Sequence, residues 1–178
     1  MLRTLLLSLL ALAGCAPDPA ASYLGGVGDP FRGAALNAPA QFGDLSATRG
    51  DPAAGARAIV QIEFLADAFR NDPARGRQTD PIAQMRLDLA RDAARRTLGI
   101  ASFVSPDAVM VALREAARQI DAGSTARAEA ALSRPGFDAG GAGTLQRLGS
   151  LPRLPEASIA AGAAAAEIRR QDGGVRGG

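Results

Sequence analysis

The chain has 178 residues and a formal net charge of +2, and its pI near 9.4 reflects a near-balance of arginine and carboxylate rather than a strongly basic surface. All 20 positive residues are arginine; lysine, histidine and tryptophan are absent. The chain therefore has no imidazole base, no Ser-His-Asp or Cys-His system and no usual zinc ligand set, and it has no Schiff-base amine, Ser-Lys pair or phosphate-loop lysine.

Arg3 followed by the apolar run from Leu5 to Ala13 has the form of a secretory signal peptide, residues 1–14. At about nine residues the run is too short to cross a bilayer, which takes about 20. The residues Leu12, Ala13, Gly14 and Cys15 resemble the lipobox of bacterial lipoproteins, and the resemblance covers only the leader and this cysteine. It implies cleavage before Cys15, a diacylglyceryl group on the thiol and an acylated new amino terminus, with no other cofactor. In that class an Asp after the cysteine signals retention in the inner membrane. Here Ala16 follows, so the resemblance implies an outer-membrane anchor facing the periplasm. Two other readings of these residues stay open. Ala11-Leu12-Ala13 is also an A-x-A site that would be cut before Gly14, and a lone secreted cysteine can pair with another chain.

Residues 15–50 read as the lipidated Cys15 and a linker rich in Ala, Gly, Pro and Asp, without sustained periodicity. As a coil, about 35 residues reach roughly 30–35 Å. Tyr23, Phe31 and Phe42 lie here, three of only seven aromatic residues, and with Leu24, Leu36 and Leu45 they are expected to dock on the protein's own core or on a partner. The run Gly25-Gly26-Val27-Gly28 lacks the Lys and Ser or Thr of a phosphate loop.

A helical domain is expected over 51–172. Its segments start at Asp51-Pro52, Asp80-Pro81, Ser105-Pro106 and Leu154-Pro155, where proline costs no hydrogen bond at the first helical position and Asp or Ser caps the free amides. A helix over 53–70 places Ile59, Ile62, Leu65, Ala66 and Phe69 on one face and Val60 and Phe64 on another, which predicts a central position. The next, 81–98, is expected to bury Ile82, Met85, Leu89 and Ala93, with Leu87 alongside, and to expose Asp88, Arg91, Asp92 and Arg95. Gly99 suits the position past its end. A helix over 106–122 buries Val109, Met110, Leu113, Ala117 and Ile120; a shorter one over 125–133 follows Ser124. This pair resembles one hairpin of the tetratricopeptide type, but stacked repeats need about three units, so it reads as a generic helical hairpin. Residues 134–153 are loop-like, with Leu145, Leu148, Leu151 and Leu154 at spacing three. The alanine-rich segment 155–171 forms the last helix, and 173–178 a disordered tail. The fold class expected is all-α, a small bundle of four or five helices behind a Pro/Gly/Ala-rich linker.

Two candidate sites stand out. Glu63 and Asp67, one helical turn apart, could hold a divalent metal or share acid–base work, or simply pair with arginines. Ferritin-like di-iron bundles also need Glu-x-x-His, which this chain cannot supply. Arg75 and Arg77, in NDPARGRQTD, present two guanidinium forks that could grip a phosphate or carboxylate of lipid, lipopolysaccharide or a partner, or simply form a solvated charged loop. Nucleic acid is not expected, because Arg and Asp alternate along the helices instead of forming a basic stripe with aromatic platforms. The reading as a whole is a non-enzymatic envelope lipoprotein, held to the membrane by its anchor. It would act through a protein partner in an envelope assembly or through self-association, and a helical module for a lipid or small ligand is the alternative.

Overall fold

Four helices begin at the same two-residue signal, a capping side chain followed by proline. In the computed structural model, which describes residues 29–73 and 76–175, these are α1 (Pro30–Phe42), α2 (Pro52–Asn71), α3 (Pro81–Leu98) and α4 (Pro106–Asp121). Asp29 accepts from the Arg32 amide at 3.1 Å, Asp51 from Ala54 at 2.8 Å, Asp80 from Ile82 at 2.8 Å and Ser105 from Ala108 at 3.3 Å. Each cap satisfies an amide that the first turn leaves free. Three further helices follow, α5 (Thr125–Leu132), α6 (Gly140–Leu148) and α7 (Pro155–Val175). The protein is all-α, with seven helices and no strand among the described residues; one isolated antiparallel bridge joins Ile100 and Phe137.

α2 is the central helix, packed against α1, α3, α4 and α6. That explains its nearly all-round apolar surface: Ile59, Val60, Ile62, Leu65, Ala66 and Phe69 are all buried. α7 packs between α1 and α3. Asp80 donates its amide to Glu167 at 3.2 Å, and Arg32 pairs with Asp172 at 2.8 Å, so α7 ends where α1 and α3 begin. The α1–α2 seam holds Phe31 edge-on to Phe69, with ring centroids 4.6 Å apart.

Several expectations change. The linker does not run to residue 50: α1 and a 3-10 turn at Leu45–Thr48 bring Phe31, Phe42 and Leu45 into the core, so the helical domain starts at Pro30. Tyr23, Leu24 and residues 1–28 generally lie outside the described residues. Residues 140–148 are helical rather than loop-like, and α7 continues to Val175, past the expected end at 171 and into the expected tail. Seven helices among the described residues replace four or five.

A further change concerns α3, whose inward face is rotated from the expected one. Ala83, Leu87, Ala90, Ala94 and Leu98 point inward, while Ile82, Met85 and Leu89 are half-exposed. The reason is the neighbour. α7 offers Ala157, Ala160, Ala161 and Ala164 to the core, and alanine against alanine lets two helix axes approach more closely than large side chains would allow.

Candidate functional site

α3 ends at Gly99, which adopts the left-handed conformation, φ 73°, and reverses the chain. The connection from Ile100 to Ser105 is then tied to the turn between α5 and α6. Ala101 donates its amide to Gly136 at 2.8 Å, and Asp138 donates to Gly99 at 2.8 Å. Gly136 itself sits at φ 85°, and a Cβ there would meet Val104 Cγ2 at 2.3 Å and the Phe103 ring at 3.3 Å. Only glycine allows the two connections to lie this close.

A buried ion pair holds the same loop from below. Arg95 donates from Nε and Nη2 to the two carboxylate oxygens of Glu63 at 2.6 and 2.7 Å, and from Nη1 to the Val104 carbonyl at 2.8 Å. Both side chains are buried, so the fork joins α2, α3 and the loop in water-excluded surroundings. Burial pushes the Glu63 carboxyl above its ordinary range; Arg95, and more weakly Arg91, oppose that rise, and Asp92 adds to it.

Above this support stands Phe103, 78 % exposed and the most open large apolar side chain among those described. It borders a pocket of about 230 Å³ together with Arg91, Asp92, Ser102, Ser105 and Pro106. The ring is thus offered to water beside a polar rim by a loop that backbone hydrogen bonds tie to the α5–α6 turn. Ser105 already uses its hydroxyl to cap α4.

The sequence candidates are distributed differently. Glu63 and Asp67 do not share a site. Both oxygens of Glu63 are taken by Arg95, whereas Asp67 accepts from Asn71 Nδ2 at 2.8 Å and lines a separate pocket of about 330 Å³ with Phe31, Phe64 and Asn71. Among the described residues no group of three or more His, Cys, Asp and Glu is placed to hold a metal ion. Arg77 is exposed on the 3-10 turn Gly76–Gln78. Arg75, like Leu12, Ala13, Gly14 and Cys15, lies outside the described residues.

Arg95, expected on the solvent face, is instead the buried partner of Glu63, and Phe103 is the site residue that sequence reasoning missed. A signal for Phe103 was present: a lone aromatic between Gly99 and Ser105-Pro106 belongs to no helical face. Compared with known proteins, the chain matches no family model, no curated protein and no solved structure.

Proposed function

We propose that this protein is a non-enzymatic bacterial envelope lipoprotein, anchored through lipid on Cys15 to the outer membrane and facing the periplasm, that acts by docking a protein partner on the α3–α4 corner. The observation that carries the docking is Phe103, offered to solvent by a loop that two backbone hydrogen bonds and the Arg95 fork hold in place. A pre-ordered aromatic loses little conformational entropy on binding, and that is the property of an interface anchor. The membrane attachment rests on the leader and lipobox residues. No helix among the described residues is long and apolar enough to cross a membrane, so a covalent lipid is the anchor proposed.

Two experiments test this. Mass spectrometry of the mature amino terminus should find acylated Cys15, and an unmodified Gly14 terminus would refute the anchor. For the contact, a photo-crosslinker at position 103 of a tagged chain should capture one envelope protein in near-stoichiometric yield. The same group at Arg127 on α5 should not. Phe103→Ala should lower recovery of that protein at least about tenfold, the scale of a central aromatic anchor. Equal labelling from both positions would remove the corner from consideration. A co-purifying small molecule in place of any protein would favour the ligand-module reading.

A further inference from the structure

Ile82, Met85 and Leu89 form a line along the solvent side of α3, at spacings of three and four residues. The inner side of this helix is already filled by Ala83, Leu87, Ala90, Ala94 and Leu98, so the outer line plays no part in the core. α7 runs antiparallel beside it, and equal steps away from the Asp80–Glu167 contact bring Ile159, also half-exposed, level with Asp88, the residue before Leu89. Past Ile159, the exposed positions on α7 are Gly162 and Ala166, followed by Arg169. The face is therefore broad and low, without the flanking ridges of a groove.

Its margins carry charge that the fold leaves uncompensated. Arg86 and Arg96 on α3 and Arg169 on α7 are exposed, and their side chains make no ion pair or hydrogen bond with the described residues. Asp92 is the single acid in the same condition on this side of α3. On α7 the half-buried Glu156, one turn before Ile159, is likewise unpaired among the described residues, so three free guanidinium groups stand against two carboxylates, and a low apolar surface with that positive excess complements a plane of anionic headgroups over acyl chains.

We propose that the solvent side of α3 and α7 is a membrane-contacting face that rests on an anionic phospholipid surface, Ile82, Met85, Leu89 and Ile159 entering the interface and Arg86, Arg96 and Arg169 meeting the phosphates. This contact is separate from the lipid on Cys15. At Asp92 its margin adjoins the pocket beside Phe103, whose ring lies beyond the last turn of α3.

The test uses the chain from residue 15 to 178 with Cys15→Ser, so that neither leader nor acyl chain contributes, in vesicle flotation. Vesicles containing phosphatidylglycerol should bind it, pure phosphatidylcholine should bind it at least about fivefold less, and high salt should release it. Met85→Asn/Leu89→Asn should lower binding at least about tenfold with the far-UV spectrum and melting midpoint unchanged. Arg86→Ser/Arg96→Ser should lower it about threefold or more and flatten the salt dependence. No binding to phosphatidylglycerol vesicles, or binding that neither variant changes, overturns the proposal. Concentration-dependent self-association abolished by the same Met85/Leu89 pair, without vesicle binding, would assign the face to a second copy and overturn it as well.

Discussion

Glu63 on α2 and Glu167 on α7 expose 1 % and 4 % of their surface, and each holds an arginine, yet their surroundings push them in opposite directions. Burial drives the Glu63 carboxyl up, because its partner Arg95 is buried with it and little water reaches the pair. Glu167 is drawn down, first by the hydrogen bonds from Arg170, then by Gln171 and the Asp80 amide. The Arg170 side chain is 56 % exposed. Glu167 is thus covered by its own donors at the edge of the bundle, and its counter-charge stays hydrated. The fraction of surface hidden does not decide the cost of a buried charge; what hides it does.

The largest effect should come from splitting the inner pair. Arg95→Ala leaves Glu63 charged, buried and unpartnered and frees the Val104 carbonyl, so unfolding stability should fall by about 3–5 kcal/mol. Replacing both members with apolar residues of similar length, Glu63→Leu/Arg95→Met, removes the charges together. It should cost less than half as much, the lost bond to Val104 accounting for about 1 kcal/mol. Chemical denaturation of the two variants checks this. A double variant as unstable as the single one would mean that the pair stabilises the fold outright, and the contrast with Glu167 would lose its basis.

The acid limb of the stability curve separates the two glutamates further. A native pKa above the unfolded value means that native Glu63 takes its proton first. Its unfavourable ionisation is then relieved as pH falls from that raised value towards about 4.5, and its contribution to stability rises over the same window. Glu167 has the opposite sign: its contribution is full above about 4.5 and is lost as pH falls from there through its depressed native value. Glu167→Gln should therefore cost about 1 kcal/mol at neutral pH, a small figure because Arg170 is solvated, and nothing once both states are protonated. The advantage of Glu63→Leu/Arg95→Met over Arg95→Ala should shrink on the same descent, since protonation removes the uncompensated carboxylate. Melting midpoints from neutral pH down to about 3 check both slopes, and a Glu167→Gln deficit that persisted at the acid end would give that residue a packing role instead.

How far the sequence reveals this arrangement depends on which force decides each element. α2 and α4 were legible because most of their large apolar residues recur at helical spacing and are buried, although Phe64 and Ile120 are only partly so and Val111 is half-exposed. α1 was missed although Asp29-Pro30 repeats the start signal of α2 and α3; Gly33, Asn37 and Pro39 lower its propensity, and its packing on α2 and α7, with Phe31 against Phe69 and Phe42 buried, offsets that. α6 was hidden by Gly140, Gly141 and Gly143 for the same reason. On α3 the apolar pattern pointed to Ile82, Met85 and Leu89. The close approach of α7 selected the alanine side instead and carried Arg95 inward to Glu63. Size complementarity between two distant segments decided that face, and no single window of sequence contains it. Glu63 could be picked out as an acid on the margin of a buried helix, but its partner could not.

The smallest effect is expected where both members of a pair keep their water. Glu115 and Arg118 lie three residues apart on α4, the arginine 71 % exposed. Hydrogen bonds from Arg118 and then Gln119 draw the Glu115 carboxyl down, as Arg170 and Gln171 do for Glu167. By donor chemistry alone the two glutamates are equivalent. They differ in cover: Glu167 also receives the amide of Asp80, the cap of α3, and so ties two helices together, while the partners of Glu115 stand on its own helix, where a surface pair gains little over the hydrated side chains of the unfolded chain. Glu115→Gln should leave the melting midpoint within the scatter of repeat scans at neutral pH. If it cost as much as Glu167→Gln, the local donors would account for the whole of both effects, and the amide that joins α3 to α7 would contribute nothing to holding them together.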